Sequence, residues 1–182
     1  VMADPSAVTD TNGEWFEIKN VSADPIELKG LVFADNTPTG RLTVGMSYIL
    51  MPGAYFVFGR SADRALNGDV PVDYEQQEFL LNNNGDTVQI LRNMGGTLIT
   101  IDQVVYDGSW PFRAGYAMGL GDGSNSSTAN DNASNWCEAT AEIGTWWTRI
   151  QEVDGPTRRK MITELTVPQD RGRRRHRRGK TA

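Results

Sequence analysis

Punctuation is what most limits the fold of this chain. Clusters of Gly, Pro, Asn and Asp interrupt it about every ten residues, and the apolar runs between them are short. No run keeps a helical period long enough to bury one face of a helix. Short apolar runs between tight turns predict strands, and many such strands predict an all-β sandwich. The 182 residues suit one sandwich with long Asx/Gly-rich loops and are too few for two ordinary domains.

The strands can be read one by one. Glu14–Lys19 alternates, with Phe16 and Ile18 on one face and Glu17 and Lys19 on the other. Asn12-Gly13 before it signals a turn. Ile26–Leu28, Leu31–Ala34 and Tyr48–Leu50 are short strands, and Met51-Pro52-Gly53 suits a turn that takes Pro and then Gly. Tyr55–Phe58 is too apolar for a strand with one wet face, so it is expected to be central and covered on both sides. Residues 59–76 read as a long loop. Asn82–Asp86 reads as a turn with left-handed residues. Thr87–Leu91 and Thr97–Tyr106 flank Asn93–Gly96 and are expected to form a hairpin. Tyr116–Leu120 is a further strand, residues 121–134 are a polar loop, and Asn135–Cys137 closes the series. The start at Val1-Met2 reads as a cut fragment.

Charge divides the chain in two. Residues 1–145 carry 7 Lys/Arg against 19 Asp/Glu, a net of −12, and residues 146–182 carry 11 against 4, a net of +7. The acidic body should repel nucleic acid, while the tail should attract it. The candidate phosphate contacts are Arg171, Arg173, Arg174, Arg175, Arg177, Arg178 and Lys180. Charge repulsion makes disorder the default for such a run.

Several motifs in one order carry a family resemblance. They are Met2-Ala3-Asp4-Pro5, Asn12–Asn20, Ile26–Leu31, Met51–Tyr55, Leu80–Asp86, Ile101–Tyr106 and Asn135–Ala139. Together they resemble bacterial, secreted-type lamin tail domains over residues 1–143. The resemblance implies an immunoglobulin-like β-sandwich whose first strand, here incomplete, begins several residues before Asp4-Pro5. It also implies a non-catalytic binding or scaffolding module of an extracellular or cell-surface protein, with a protein or surface polymer as partner. The alternatives are a nucleic-acid-binding module acting through the tail, in a nuclear setting, or an accessory domain of a secreted nuclease or phosphoesterase. Residues 144–182 fall outside the pattern. Related domains close with a Gly-Asp-Leu-Gly-Thr-Pro-Gly type segment, which read one base out resembles Gly144–Trp147, so a shifted frame is a further expectation for this tail.

Catalytic constellations are scarce. The one histidine, His176, lies in the Arg-rich run, which argues against a Ser-His or Cys-His pair. Cys137 is expected to be a small buried apolar residue. Glu14 and Glu17 stand three apart on a strand and should face opposite ways, with Glu17 pairing a cross-strand cation. No cofactor is called for. Calcium has weak candidates in Asp122, Asn125 and Asp131, although Asx-rich loops also occur simply because Asn and Asp suit turns. Trp110 and Phe112, beside Pro111 in a loop, are the candidates for exposed aromatic contacts, while Trp136 is expected in the core.

Overall fold

The structure, a computed structural model, describes residues 1–139 except 36, 38, 79, 122 and 125, together with the backbone of residues 163–165. One helical turn, α1 (Asp10–Gly13), precedes the strands β1 (Trp15–Asn20), β2 (Ile26–Glu27), β3 (Leu31–Ala34), β4 (Arg41–Thr43) and β5 (Ile49–Leu50). Then come β6 (Tyr55–Gly59), β7 (Tyr74–Glu75), β8 (Gly85–Met94), β9 (Thr97–Asp107), β10 (Met118–Leu120), β11 (Trp136–Glu138) and β12 (Thr163–Leu165). Two four-stranded sheets dominate, ordered β12-β1-β6-β7 and β4-β3-β8-β9, with the small pairs β2-β5 and β10-β11 beside them. The architecture is the all-β, immunoglobulin-like sandwich that the turn pattern and the resemblance imply.

Alternation decides which side chains meet. On β1, Phe16, Ile18 and Asn20 are wholly buried, while Glu17 and Lys19 between them are half-buried. Phe16 pairs in register with Phe58 on β6, and Phe33 of β3 reaches them from the other sheet. The ring centroids lie 5.0 Å apart for Phe16–Phe58, 4.4 Å for Phe33–Phe58 and 5.6 Å for Phe16–Phe33. Val57 faces the other way, against Met2, Trp15, Val70 and Ala117. β6 is therefore covered on both sides, as its apolar run implies. Asn20 is tolerated at the strand end because its amide is fully used. Its Nδ2 donates to Asp24 O and Leu50 O, both at 2.8 Å, and its Oδ1 accepts from Ser22 N and Oγ.

Turn chemistry sets the register elsewhere. Met94 pairs with Thr97, so the β8–β9 hairpin closes on Gly95 and Gly96, whose φ values of 63° and 96° suit a two-residue primed turn. A register shift between Ile90 and Leu91 marks a bulge in that ladder. Ala54 N–H donates to Met51 O across Pro52-Gly53, and Gly53 has φ 74°, as a Pro-Gly turn requires.

Two readings of the sequence need correction, one turn takes a helical form, and one strand went unread. The turn that Asn12-Gly13 signals is the end of the helical turn α1, and its Gly is required because a Cβ there would lie 2.3 Å from Val8. The segment 59–76 holds β7, which runs parallel to β6. β4, with alternating exposed and buried residues around Leu42, was too short to show a pattern. In Asn82–Asp86 only Gly85 takes positive φ, at 133°. The tail from 144 lies outside the described residues except for β12, which pairs in parallel with Ile18–Asn20 and also contacts β9. Met2 uses the same β1 strand at Trp15, in an antiparallel bridge.

Removing the inter-sheet ring should be costly. Phe33→Ala is expected to lower stability by about 3–5 kcal/mol, measured by urea unfolding. A loss under about 1 kcal/mol would mean that the two sheets are held by other contacts.

Candidate functional site

Three core strands carry a charged residue two positions beyond their aromatic, toward the same end of the sandwich. Glu14 precedes Phe16, Arg60 follows Phe58, and Asp35 follows Phe33. Period-two geometry puts each charge on the core-facing side of its strand, just where the apolar core ends. All three are buried. They line a cleft of about 770 Å³ with Asp10, Glu78 and Asp86, and with amides from Gln77 and Asn82–Asn84. Five carboxylates thus face one guanidinium among the lining residues.

Local hydrogen bonds hold these groups in place. Glu14 and Arg60 are neighbours across the β1–β6 ladder, where Arg60 N–H donates to Glu14 O at 3.0 Å. The Glu14 Oε2 accepts Leu81 N–H at 2.9 Å, which ties the approach of β8 to the start of β1. Asp86 accepts the N–H groups of Asn82 and Thr87 at 2.8 and 2.7 Å. Asp35 Oδ1 accepts both the N–H and the hydroxyl of Thr37, and Thr37 Oγ1 accepts Gly40 N–H. Gly40 is needed there, since a Cβ would lie 2.0 Å from Asp35 Oδ2. Tyr106 Oη donates to Asn82 O at 3.2 Å beneath the loop.

Electrostatics follows from this packing. Burial pushes the Glu14 carboxyl up to about 7, with Asp10 and Asp86 adding to the shift and the Leu81 N–H and Arg60 opposing it. Burial likewise raises Tyr106, reinforced by Asp86 and Glu14. The cleft is a polar, electronegative concavity with a carboxyl at its base that ionises more readily when a cation approaches.

The residues singled out from sequence fall mostly elsewhere. Trp110 is not an exposed contact. It is 9% exposed and packs against Trp136 with centroids 5.7 Å apart. The turn at the end of β9, where Trp110 N–H donates to Asp107 O, folds it back over the core. Phe112 is half-buried and stacks against Tyr106. Trp136 lies in the core as expected. Cys137 is half-buried, not fully buried, and its thiol reaches Gly119 O at 3.6 Å. Glu17 lies opposite Val57 in the β1–β6 ladder, and its charge acts on the buried Val1 ammonium. Asp131 is exposed, and Asp122 and Asn125 lie outside the described residues, as do Arg171, Arg173, Arg174, Arg175, Arg177, Arg178 and Lys180. Between them Asn130 is wholly buried. It donates to Asp102 at 2.9 Å, and its carbonyl accepts the Trp136 indole N–H at 2.8 Å, so this part of the Asx loop anchors to the core. Among the described residues no group of three or more His, Cys, Asp or Glu could hold a metal ion. Sequence reasoning missed Asp35, Arg60 and Glu78 and read Asp86 only as a turn residue. One signal was available, because Glu14 shares the parity of Phe16 and Ile18.

Glu14 has a measurable consequence. The folded protein keeps this proton up to about pH 7, whereas the unfolded chain releases it near 4.5. The unfolded state therefore binds fewer protons in that window, and wild-type stability falls as pH rises through it. Glu14→Gln removes this term. Relative to wild type it is expected to gain about 1–2 kcal/mol on going from pH 4.5 to 8, read by urea unfolding. A difference that stays flat with pH contradicts the placement of a buried, protonated carboxyl.

Among the described residues no helix is long and apolar enough to cross a membrane. Comparison with protein families gives two matches. Residues 127–181 match the model of the arginine-rich C-terminus of polymerase A. No curated protein and no solved structure matches the chain. Residues 1–108 match the lamin tail domain model, which spans β1 to β9 and every residue that lines the cleft. The chain belongs to the lamin tail domain family.

Proposed function

We propose that this chain is a non-catalytic binding or scaffolding module of an extracellular or cell-surface protein, and that its acidic cleft meets a cationic partner segment. Lamin tail domains are binding and scaffolding modules, and the cleft is the concavity that such a role needs. The observation that carries the reading is the convergence of Glu14, Asp35 and Asp86 with Asp10 and Glu78 around one Arg60. Carboxylates fixed by backbone N–H groups are preorganised to receive the ammonium or guanidinium of a peptide or surface polymer. Among the described residues that line the cleft there is no histidine or cysteine, and the Thr37 hydroxyl donates to Asp35. That favours recognition over nucleophilic chemistry. The extracellular setting follows the resemblance to bacterial secreted-type domains.

A second reading has its own support. The match of residues 127–181 to an arginine-rich polymerase terminus, with the net +7 of residues 146–182, favours a nucleic-acid contact made by the tail alone. Its binding to a single-stranded oligonucleotide would then fall steeply with salt and be lost when Arg173, Arg174 and Arg175 become Gln.

The cleft reading is tested by calorimetric titration of the full chain with a lysine-rich peptide at low salt. The Asp10→Asn/Glu78→Gln double variant, which changes two partly or fully exposed groups at the rim, is expected to bind about three- to tenfold more weakly with an unchanged melting temperature. Equal affinity in variant and wild type would remove the cleft as the binding face.

A further inference from the structure

Three steps of the sequence read Asn-Gly: Asn12-Gly13, Asn67-Gly68 and Asn84-Gly85. Such a step is chemically labile, because glycine leaves the following peptide nitrogen unshielded and free to approach the asparagine side-chain carbonyl. Whether the step reacts in a folded protein depends on what holds the two partners. The fold holds these three steps differently.

Two of them are locked. Asn67 is 3% exposed. Its Nδ2 donates to Ser61 O and Val70 O, both at 2.8 Å, and its Oδ1 accepts Val70 N–H at 2.9 Å. Turning this side chain toward Gly68 would break all three bonds. At Asn12 the nucleophile is the partner that is held. Gly13 N–H donates to Thr9 O at 2.8 Å within α1, and Gly13 is buried tightly against Val8 and Pro5.

Asn84 differs on each count. It is exposed, and its side-chain amide makes no hydrogen bond among the described residues. Gly85 N–H donates to Asn82 O at 3.3 Å, longer than a usual N–H···O bond. The glycine itself is fixed by the fold. Gly85 has φ 133°, and a Cβ there would lie 2.8 Å from Tyr106 O and 2.9 Å from Asp107 Cα. The start of the β8–β9 ladder therefore requires the residue that makes Asn84 labile. We propose that Asn84 is a site of spontaneous deamidation, a slow self-modification that adds a carboxylate to the rim of the cleft while Asn12 and Asn67 stay intact.

The reaction needs water alone. Gly85 N forms a bond to Asn84 Cγ, the Cγ–Nδ2 bond breaks, and Nδ2 leaves as ammonia with the proton given up by Gly85. Water then opens the five-membered imide on either side. One opening gives aspartate, and the other gives isoaspartate, with an added methylene in the main chain. Nothing is oxidised or reduced. The new charge stands beside Asn83, whose Nδ2 donates to Asp10 Oδ2 at 3.4 Å, and among the residues that line the cleft. The chemistry is independent of whether the cleft binds a partner.

The test ages the full chain in mildly alkaline heavy-oxygen water and maps the incorporated oxygen by mass spectrometry of its peptides. In the folded protein Asn84 is expected to react at least about tenfold faster than Asn12 and Asn67, because the locked steps react only through local opening. In concentrated urea at the same pH the three rates are expected to agree within about threefold, since unfolding releases all three steps. Asn84→Ser should remove the fast reaction from the folded protein. Equal rates at the three steps before unfolding, or a faster reaction at Asn12 or Asn67, overturn the proposal. So does an Asn84 preference that persists undiminished in urea, since local sequence and not the fold would then set it.

Discussion

Everything in this domain depends on the contact of Phe16, Phe33 and Phe58 across the two sheets. Phe16 and Phe58 are paired within one ladder, so they present a single aromatic surface, and Phe33 meets it from the facing sheet at 4.4 Å from Phe58. Rings in such offset contact contribute both buried area and a preferred spacing. The sheets are thereby held at a fixed distance and angle. The charged residues two positions on inherit that placement. Glu14, Arg60 and Asp35 owe their convergence to the same three strands that bring the rings together. The cleft is an outgrowth of the core rather than a separate device.

This coupling explains what could be read from the sequence and what could not. The period-two run Phe16–Ile18, the short apolar run Leu31–Ala34, and the Gly-Gly and Pro-Gly turns announce themselves locally, so most strands and the β8–β9 hairpin were legible. β4 and β7 were not, because three residues and two residues are too short to show a period, and they form only where β3 and β6 offer an edge. Trp110 misled for a related reason. Next to a proline in a polar stretch it looks exposed, and only the turn at the end of β9 brings it onto Trp136. The cleft was illegible because its members come from four separate stretches of chain, and no local spacing links Asp35 to Asp86. Only the parity of Glu14 with Phe16 carried a hint of a carboxyl on the core side.

The electrostatic balance of the site has a cost that its function can use. A carboxyl buried beside Asp10 and Asp86 is held protonated to about 7, so the unliganded domain keeps an incompletely ionised group at the base of its cleft. A cation arriving there stabilises the ionised form and improves its own interaction by doing so. The split of charge between a net −12 body and a net +7 tail places a source of such cations on the same chain.

The claim that the acidic end of the sandwich is the recognition face is tested most directly by mapping amide shifts of the isotope-labelled full chain as a lysine-rich peptide is added. The expected result is movement of Thr37, Leu81 and Asn83, which rim and floor the cleft, with little change elsewhere. Shifts concentrated instead at Val32, Leu91 and Val105, on the other face of the second sheet, would contradict the account.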